Sequence, residues 1–409
     1  MKDEEQFDLY QNLELPVTYI LADMEYVGAK IDIHVLKEME MDFEQQIKQI
    51  EEDIYMLADK EFNISSPKQL GEVLFERLGL PNGKKTKTGY STSQDILEKI
   101  EGLHPIIPLI QKYRMLTKLS STYVKGLQEQ VFADGKIHTI YNQALTQTGR
   151  LSSIEPNLQN IPVRQEEGKL IRKAFIPSHD YLVTFDYSQI ELRLLALLSC
   201  DETMIQAFLN HEDVHAITAS KVFHVPLNEV TKEQRRISKA INFGIVYGMS
   251  PWGLSEQIGV DLATAKTFIE TFFETYPKVK EYLDQNVSFC KDNGYVTTLL
   301  KRRRMVPEIH AQVYQVREFG KRVAMNTPIQ GSAADIIKLA MIAVDQYIQS
   351  RKEEVFLTCQ IHDELLLEVK DEVAEEVAKE IQKIMENILQ QKMPLEVHYS
   401  IGKNWLEAK

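Results

Sequence analysis

The sequence predicts an α+β protein of more than one domain, and three observations lead there. A charged stretch with helical spacing of its apolar residues fills about 36–130. The run Leu182–Phe185 is rich in β-branched and aromatic residues and reads as a buried strand; from Ile190 the pattern turns helical, with Ile190, Leu194 and Leu197 on one face. Two further apolar runs, Val355–Ile361 and Leu365–Val369, read as a hairpin. At 409 residues, two or three domains are expected rather than one core.

Composition narrows the class. No run of eighteen apolar residues occurs, and Met1-Lys2-Asp3-Glu4-Glu5 is too acidic for a signal peptide, so a cytoplasmic protein without a membrane partner is expected. The three cysteines are scattered and fit no metal spacing, which reads as reduced thiols. The net charge of −13 argues against nucleic-acid binding unless the cations gather in one cleft.

Residues 7–35 read as a lead-in that packs on a later domain. Val35 to about Leu57 reads as an amphipathic helix. Ser66-Pro67-Lys68-Gln69 predicts a helix start with Ser66 as N-cap and Gln69 closing a capping box. Asn82–Gly89 reads as an exposed basic loop, a solvated tip or a phosphate contact, and Ile107–Gln130 as a long helix. Strand signals appear at Ile137–Tyr141; the polar, Gly- and Pro-punctuated stretch from Thr146 to Arg164 is a long loop of the kind that carries function.

Asp186 stands at the C-terminal end of the strand, and Glu191 lies in the first turn of the helix after it. In 235–248, Arg235, Lys239, Phe243 and Tyr247 recur every four residues, so two cations and two aromatics share one helical stripe. Such a stripe suits a triphosphate at one end and a nucleoside at the other, although a merely solvated basic face is the common alternative. Lys301–Arg304 would touch phosphates or only stabilise a surface. Arg317, Lys321, Arg322, Asn326 and Gln330 line up at helical spacing, interrupted by Pro328, and Gly331–Tyr347 reads as an amphipathic helix. The hairpin tip is His362-Asp363-Glu364; adjacent carboxylates there repel each other and call for a cation. Two strand-end aspartates facing one another are what a pair of Mg²⁺ ions needs.

These blocks resemble family A of the DNA polymerases, the polymerase portion of the bacterial polymerase I type. Asp186–Arg193 is similar to the family's motif A, Arg235–Gly248 to motif B and His362-Asp363-Glu364 to motif C. Thr148–Ser153 and Asn326–Gly331 match two further blocks, and the likeness runs in order through essentially the whole chain. It implies a right-hand fold: an antiparallel palm sheet (lead-in 1–35, 131–202 with motif A, 311–409 with motif C), a helical thumb at 36–130 and helical fingers at 203–310. It implies a DNA polymerase that adds dNTPs to a primer 3′-hydroxyl in replication and repair, working as a monomer on primer–template DNA at the nucleoid.

By the same resemblance, Asp186, Asp363 and the Tyr187 carbonyl would hold two Mg²⁺ ions, with Mn²⁺ able to substitute, and Glu364 would be near and supportive. Arg235 and Lys239 would neutralise the triphosphate, and Lys239 would protonate the departing pyrophosphate. Phe243 would pack on the deoxyribose, Tyr247 would occupy the template-base site in the open fingers, and Gln189 and His215 would line the nucleotide pocket. Glu191 would block a 2′-hydroxyl. Arg150, Asn157, Gln159, Arg322, Asn326, Gln330 and His362 would read the minor groove and primer terminus. The chain starts where the family's 3′–5′ exonuclease-like domain would end; no second acidic cluster outside the palm reads as a holder of exonuclease metals, so no proofreading is expected. A single-subunit RNA polymerase and an inactive DNA-binding remnant are the rival readings; Glu191 argues against the first, and intact Asp186, Asp363 and Lys239 against the second.

Overall fold

Local signals set the helices, and packing sets their lengths. In the computed structural model, which describes residues 5–81, 83–86, 89–162, 165–389 and 393–409, helix α1 spans Leu15–Val27 and ends at Gly28. Helix α2, Ile33–Ala58, starts where the Asp32 carboxylate accepts the amides of His34 and Val35. Helix α3, Ile106–Lys118, continues through a wider-wound turn to Glu129 and packs along α2. The Ser66 hydroxyl accepts the Gln69 amide as expected, but there is no capping box: the Gln69 side chain accepts from the Asn63 amide instead. The basic segment after Pro81 is not a plain loop, because Lys85–Thr86 pairs antiparallel with Gly89–Tyr90. Asn82, Lys87, Thr88, Val163 and Arg164 lie outside the described residues.

The central sheet has four antiparallel strands: β1 (Tyr181–Tyr187), β2 (Val355–Ile361), β3 (Glu364–Val369) and β4 (Val397–Gly402), in the order β2-β3-β1-β4. Strand β1 is interior, and the register places Asp186 directly beside Glu364 on β3 and His398 on β4. Strand alternation then sorts the faces. Val183, Phe185, Leu365 and Leu367 enter a core shared with the helices of 190–283 and 329–348. Leu182 and Leu366 enter a second core with α2, α3 and Trp405. A register shift between Leu357 and Cys359 moves β2 from the first core to the second partway along its length. Burying each of these large side chains contributes about 1.5–3 kcal/mol.

Helix α4 (Ile190–Ser199) leaves β1 through Ser188 and Gln189, and α5 (Val214–Phe223) packs on α6 (Lys232–Val246). Helix α7 corrects the sequence reading twice. It runs unbroken from Tyr314 to Ile348 with Pro328 inside it, and its second half is buried nearly all round rather than amphipathic. Thr327, Pro328, Ile329, Gly331 and Ser332 are all buried, so tertiary packing outweighs the lost backbone bond at proline. Lys338, fully buried on α7, bonds Glu14 at 2.8 Å, and Arg302 binds both Glu14 and Asp335. Arg302 of the basic run is thus an internal ion-pair member rather than a phosphate ligand.

Candidate active site

The end of β1, the tip of the β2–β3 hairpin, the start of α4 and one stripe of α6 converge on a cavity of about 520 Å³. Its walls carry Asp186, Tyr187, Gln189, Glu191, His215, Arg235, Lys239, Phe243, Tyr247, Arg150, His362 and Asp363. Residues from five separate parts of the sequence therefore meet at one opening. The Tyr187 amide donates to the Asp363 carbonyl at 3.3 Å, which ties the hairpin tip to β1. His362 takes a left-handed φ of 55°, sparsely populated for a side chain of its size, and the Gln360 amide group holds its carbonyl.

Two carboxylates face the cavity without a counter-ion. Among the described residues neither Asp186 nor Asp363 has an ion-pair partner. Asp186 keeps part of its surface in solvent, yet the concave floor desolvates it, and Glu364 and Asp363 repel its charge; Lys409 opposes them, and the carboxyl is pushed up to about 6. Burial likewise raises Asp363, against the pull of Arg150 and His362. Desolvated hard oxygens whose negative charge is opposed by burial and by neighbouring carboxylates fit a divalent cation. No cluster of three or more His, Cys, Asp or Glu side chains able to hold a metal occurs among the described residues. Two such carboxylates with open space beside them suit a hard divalent cation that completes its shell with water and phosphate oxygens.

Helix α6 supplies the cationic and aromatic wall. Thr231 and Gln234 close a capping box that starts it. Lys239 is exposed and, among the described residues, has no carboxylate partner; its Nζ stands 6.0 Å from the Phe243 ring, which stacks on Tyr247 at 6.4 Å. Arg235 is already engaged with Asp213 at 2.5 Å, a partner the sequence reading did not include although its place before Val214 marks it as an N-cap. His215 is buried, with Nδ1 2.8 Å from the Asn242 side-chain amide group. Burial, then Arg235 and Lys239, hold the imidazole down at about 4 against Asp213. The ring is neutral near pH 7.

The opposite wall is an ion pair. Arg150 Nη2 lies 2.5 Å from Glu191 Oε1, and the Glu191 side chain is 6% exposed. Its second oxygen is buried with no hydrogen bond of ordinary geometry, the Tyr247 hydroxyl lies beside the carboxylate, and burial raises its pKa against Arg150. Two glycines nearby admit close neighbours. At Gly149 (φ +79) a Cβ would lie 2.6 Å from Arg302 Nε, and at Gly248 (φ +64) it would meet Met325 and Arg322 of α7.

The remaining candidates lie outside the cavity lining. Arg322 stands beside Gly248, where α6 meets α7. Asn157 and Gln159 are engaged locally: Asn157 accepts the Gln159 amide and Gln159 donates to the Leu151 carbonyl. Asn326 has a buried oxygen with no partner, and Gln330 is half-buried one turn further along α7. Glu364 is not a tip residue. It begins β3, is buried, and gives its oxygens to Trp405 Nε1 at 2.8 Å and to Lys409 Nζ. Local sequence carries no signal for that tail contact.

Comparison with known proteins identifies the family. The sequence profile of DNA polymerase family A matches residues 33–407. The chain is 49% identical over its full length to DNA polymerase I of Bacillus subtilis and 50% identical to that of Geobacillus stearothermophilus, covering 47% of each. It thus spans about half the length of these curated relatives. The solved POL domain of Pol1 from M. smegmatis, in complex with DNA primer–template and dNTP, superposes with a TM-score of 0.94 at 43% identity, over 100% of this chain and 72% of that one.

Proposed function

The chain belongs to DNA polymerase family A, and from that membership we propose that it is a template-directed DNA polymerase extending a primer 3′-hydroxyl with dNTPs. The observation that carries the reading is one cavity in which two carboxylates and a lysine, none of them ion-paired among the described residues, face one another beside stacked aromatics. A solved relative whose title names DNA and dNTP supports those partners. The parts proposed are a palm of 1–35, 131–202 and 311–409, a thumb of 36–130 and fingers of 203–310, acting as a cytoplasmic, nucleoid-associated monomer. No helix among the described residues is long and apolar enough to cross a membrane.

In the proposed reaction the primer hydroxyl attacks the α-phosphorus of the bound dNTP and pyrophosphate leaves. Asp186, Asp363 and the Tyr187 carbonyl would hold two Mg²⁺ ions, replaceable by Mn²⁺, which when bound make the hydroxyl more acidic and offset phosphate charge. Lys239, with no competing carboxylate, binds the triphosphate and donates a proton to the leaving pyrophosphate. Arg235 reaches the same phosphates by exchanging Asp213 for them. Phe243 packs on the deoxyribose, with neutral His215 and Gln189 beside it; the buried, unpartnered Gln189 oxygen is ready to accept a bond. Tyr247 covers the template-base position until the fingers close. Glu191, held by Arg150, fills the volume a 2′-hydroxyl would need. Arg150, Asn157, Gln159, Arg322, Asn326, Gln330 and His362 contact the primer–template minor groove, where acceptors common to all base pairs allow a shape check. No proofreading is proposed for this chain.

Primer extension with Mg²⁺ and dNTPs tests the reading. Template-dependent growth of the primer is expected, with rNTPs used poorly. Absence of growth, or equal use of rNTPs, refutes it. A primer with a 3′ mismatch, incubated without dNTPs, should keep its length.

A further inference from the structure

Glu364 is the cross-strand neighbour of Asp186, on the same face of the sheet, within reach of any ion that Asp186 holds. Yet it does not line the cavity, because the last residues of the chain occupy both its oxygens. Trp405 is 1% exposed, and its indole N–H donates to Glu364 Oε1. The Arg172 guanidinium stacks on the indole at 4.0 Å, the Phe175 ring meets it edge-on, and the Trp405 amide bonds the Phe175 carbonyl. The Ala408 carbonyl accepts the Thr184 hydroxyl of β1, and Gly402 leaves room for the tail: a Cβ there would come 2.5 Å from the Ala408 nitrogen. Lys409 then reaches Glu364 Oε2 from a half-exposed position. Two ordered donors converge on the one carboxylate of the site that faces away from the cavity.

We propose that Trp405 and Lys409 are positioning residues: the docked tail turns Glu364 away, so that metal ions meet two carboxylates rather than three. The proposal rests on the polymerase reading for its consequence. Mg²⁺ has six places, and each taken by a protein carboxylate is lost to the triphosphate or the primer hydroxyl. A released Glu364 would bind ions more tightly and serve the reaction less well.

The test is Mn²⁺ binding without DNA or nucleotide, followed by the electron-spin signal of the free ion, beside primer extension. Lys409→Met should tighten Mn²⁺ binding at least threefold, and adding Glu364→Gln should restore the wild-type affinity, while Lys409→Arg should leave it unchanged. In a Trp252→Phe background Trp405 is the sole tryptophan, so its emission reports whether the tail remains docked. Should Lys409→Met misfold, Trp405→Phe, which loses only the indole donor and some ring area, carries the test in the same direction. Unchanged Mn²⁺ affinity, or tightening that persists with Glu364→Gln, overturns the proposal, the latter because lost positive charge alone would then explain it. Primer extension by the wild type is a separate result: its failure sinks the polymerase reading, whereas failure of the Mn²⁺ series with extension intact sinks only the tail's role.

Discussion

Replacing Glu191 with alanine should change what the enzyme accepts far more than how stable it is. Two structural effects oppose each other in the variant. Arg150 loses its partner, but it is 35% exposed, so water takes over much of its charge and the cost falls to about 1–2 kcal/mol, below that of a fully buried pair. The buried Glu191 carboxylate, poorly satisfied beyond Arg150 and the nearby Tyr247 hydroxyl, disappears as well, returning about 1–2 kcal/mol of desolvation. Net stability should therefore move by no more than about 1 kcal/mol, a Tm shift of roughly 2–4 °C or less. Selectivity has no such compensation. Steric rejection of one added hydroxyl is worth about 2–3 kcal/mol, which corresponds to roughly 30- to 150-fold in the dNTP-to-rNTP ratio. The assay is single-turnover incorporation of each nucleotide, with thermal melting alongside. Glu191→Gln, which keeps the volume, should stay within a few-fold of wild type in the same ratio. A ratio unchanged in Glu191→Ala, with a lower Tm, would show that the carboxylate only supports the helix start and the Arg150 loop.

Asp186→Ala and Asp363→Ala should each abolish extension while primer–template binding survives; a rate within about tenfold of wild type, roughly 1.4 kcal/mol of barrier, removes that residue from the metal site. His215 is held at about 4 in the fold, so the unfolded chain binds its proton first as the pH falls from about 6.5. Stability is then lost as the pH drops through that window, by at most about 3 kcal/mol more than in His215→Gln, and parallel melting profiles for the two proteins would contradict this. Glu14→Ala leaves the buried Lys338 ammonium without its 2.8 Å partner and should cost about 2–4 kcal/mol in chemical denaturation; a loss under about 0.5 kcal/mol would mean that Asp335 alone satisfies the lysine. Phe243→Tyr should raise acceptance of dideoxynucleotides by supplying a hydroxyl beside the sugar, read as the ratio of dideoxy to deoxy incorporation, and an unchanged ratio places the ring elsewhere.

The sequence alone determined whatever depends on neighbours a few residues apart. The strand at 181–187, the hairpin at 355–369 and the α6 stripe are periodic patterns, and period is a local property. It also placed each carboxylate at the end of its strand. Only the tertiary structure decided which charges are free to act. Arg302 looked like a member of a basic run, but its carboxylate partners are 33 and 288 positions away, and no spacing rule reaches so far. Pro328 looked like a helix end, until burial on all sides outweighed its missing donor. Arg235 and Lys239 look equivalent in sequence, yet Asp213 engages one and leaves the other open. Asp363 and Glu364 are adjacent, but Asp363 stays in the turn while Glu364 begins β3, and a tail that arrives 41 and 45 residues later holds Glu364 out of the cavity. Chemistry of the site is written in residue types, whereas the availability of each charge follows from long-range partners that only the folded chain brings into contact.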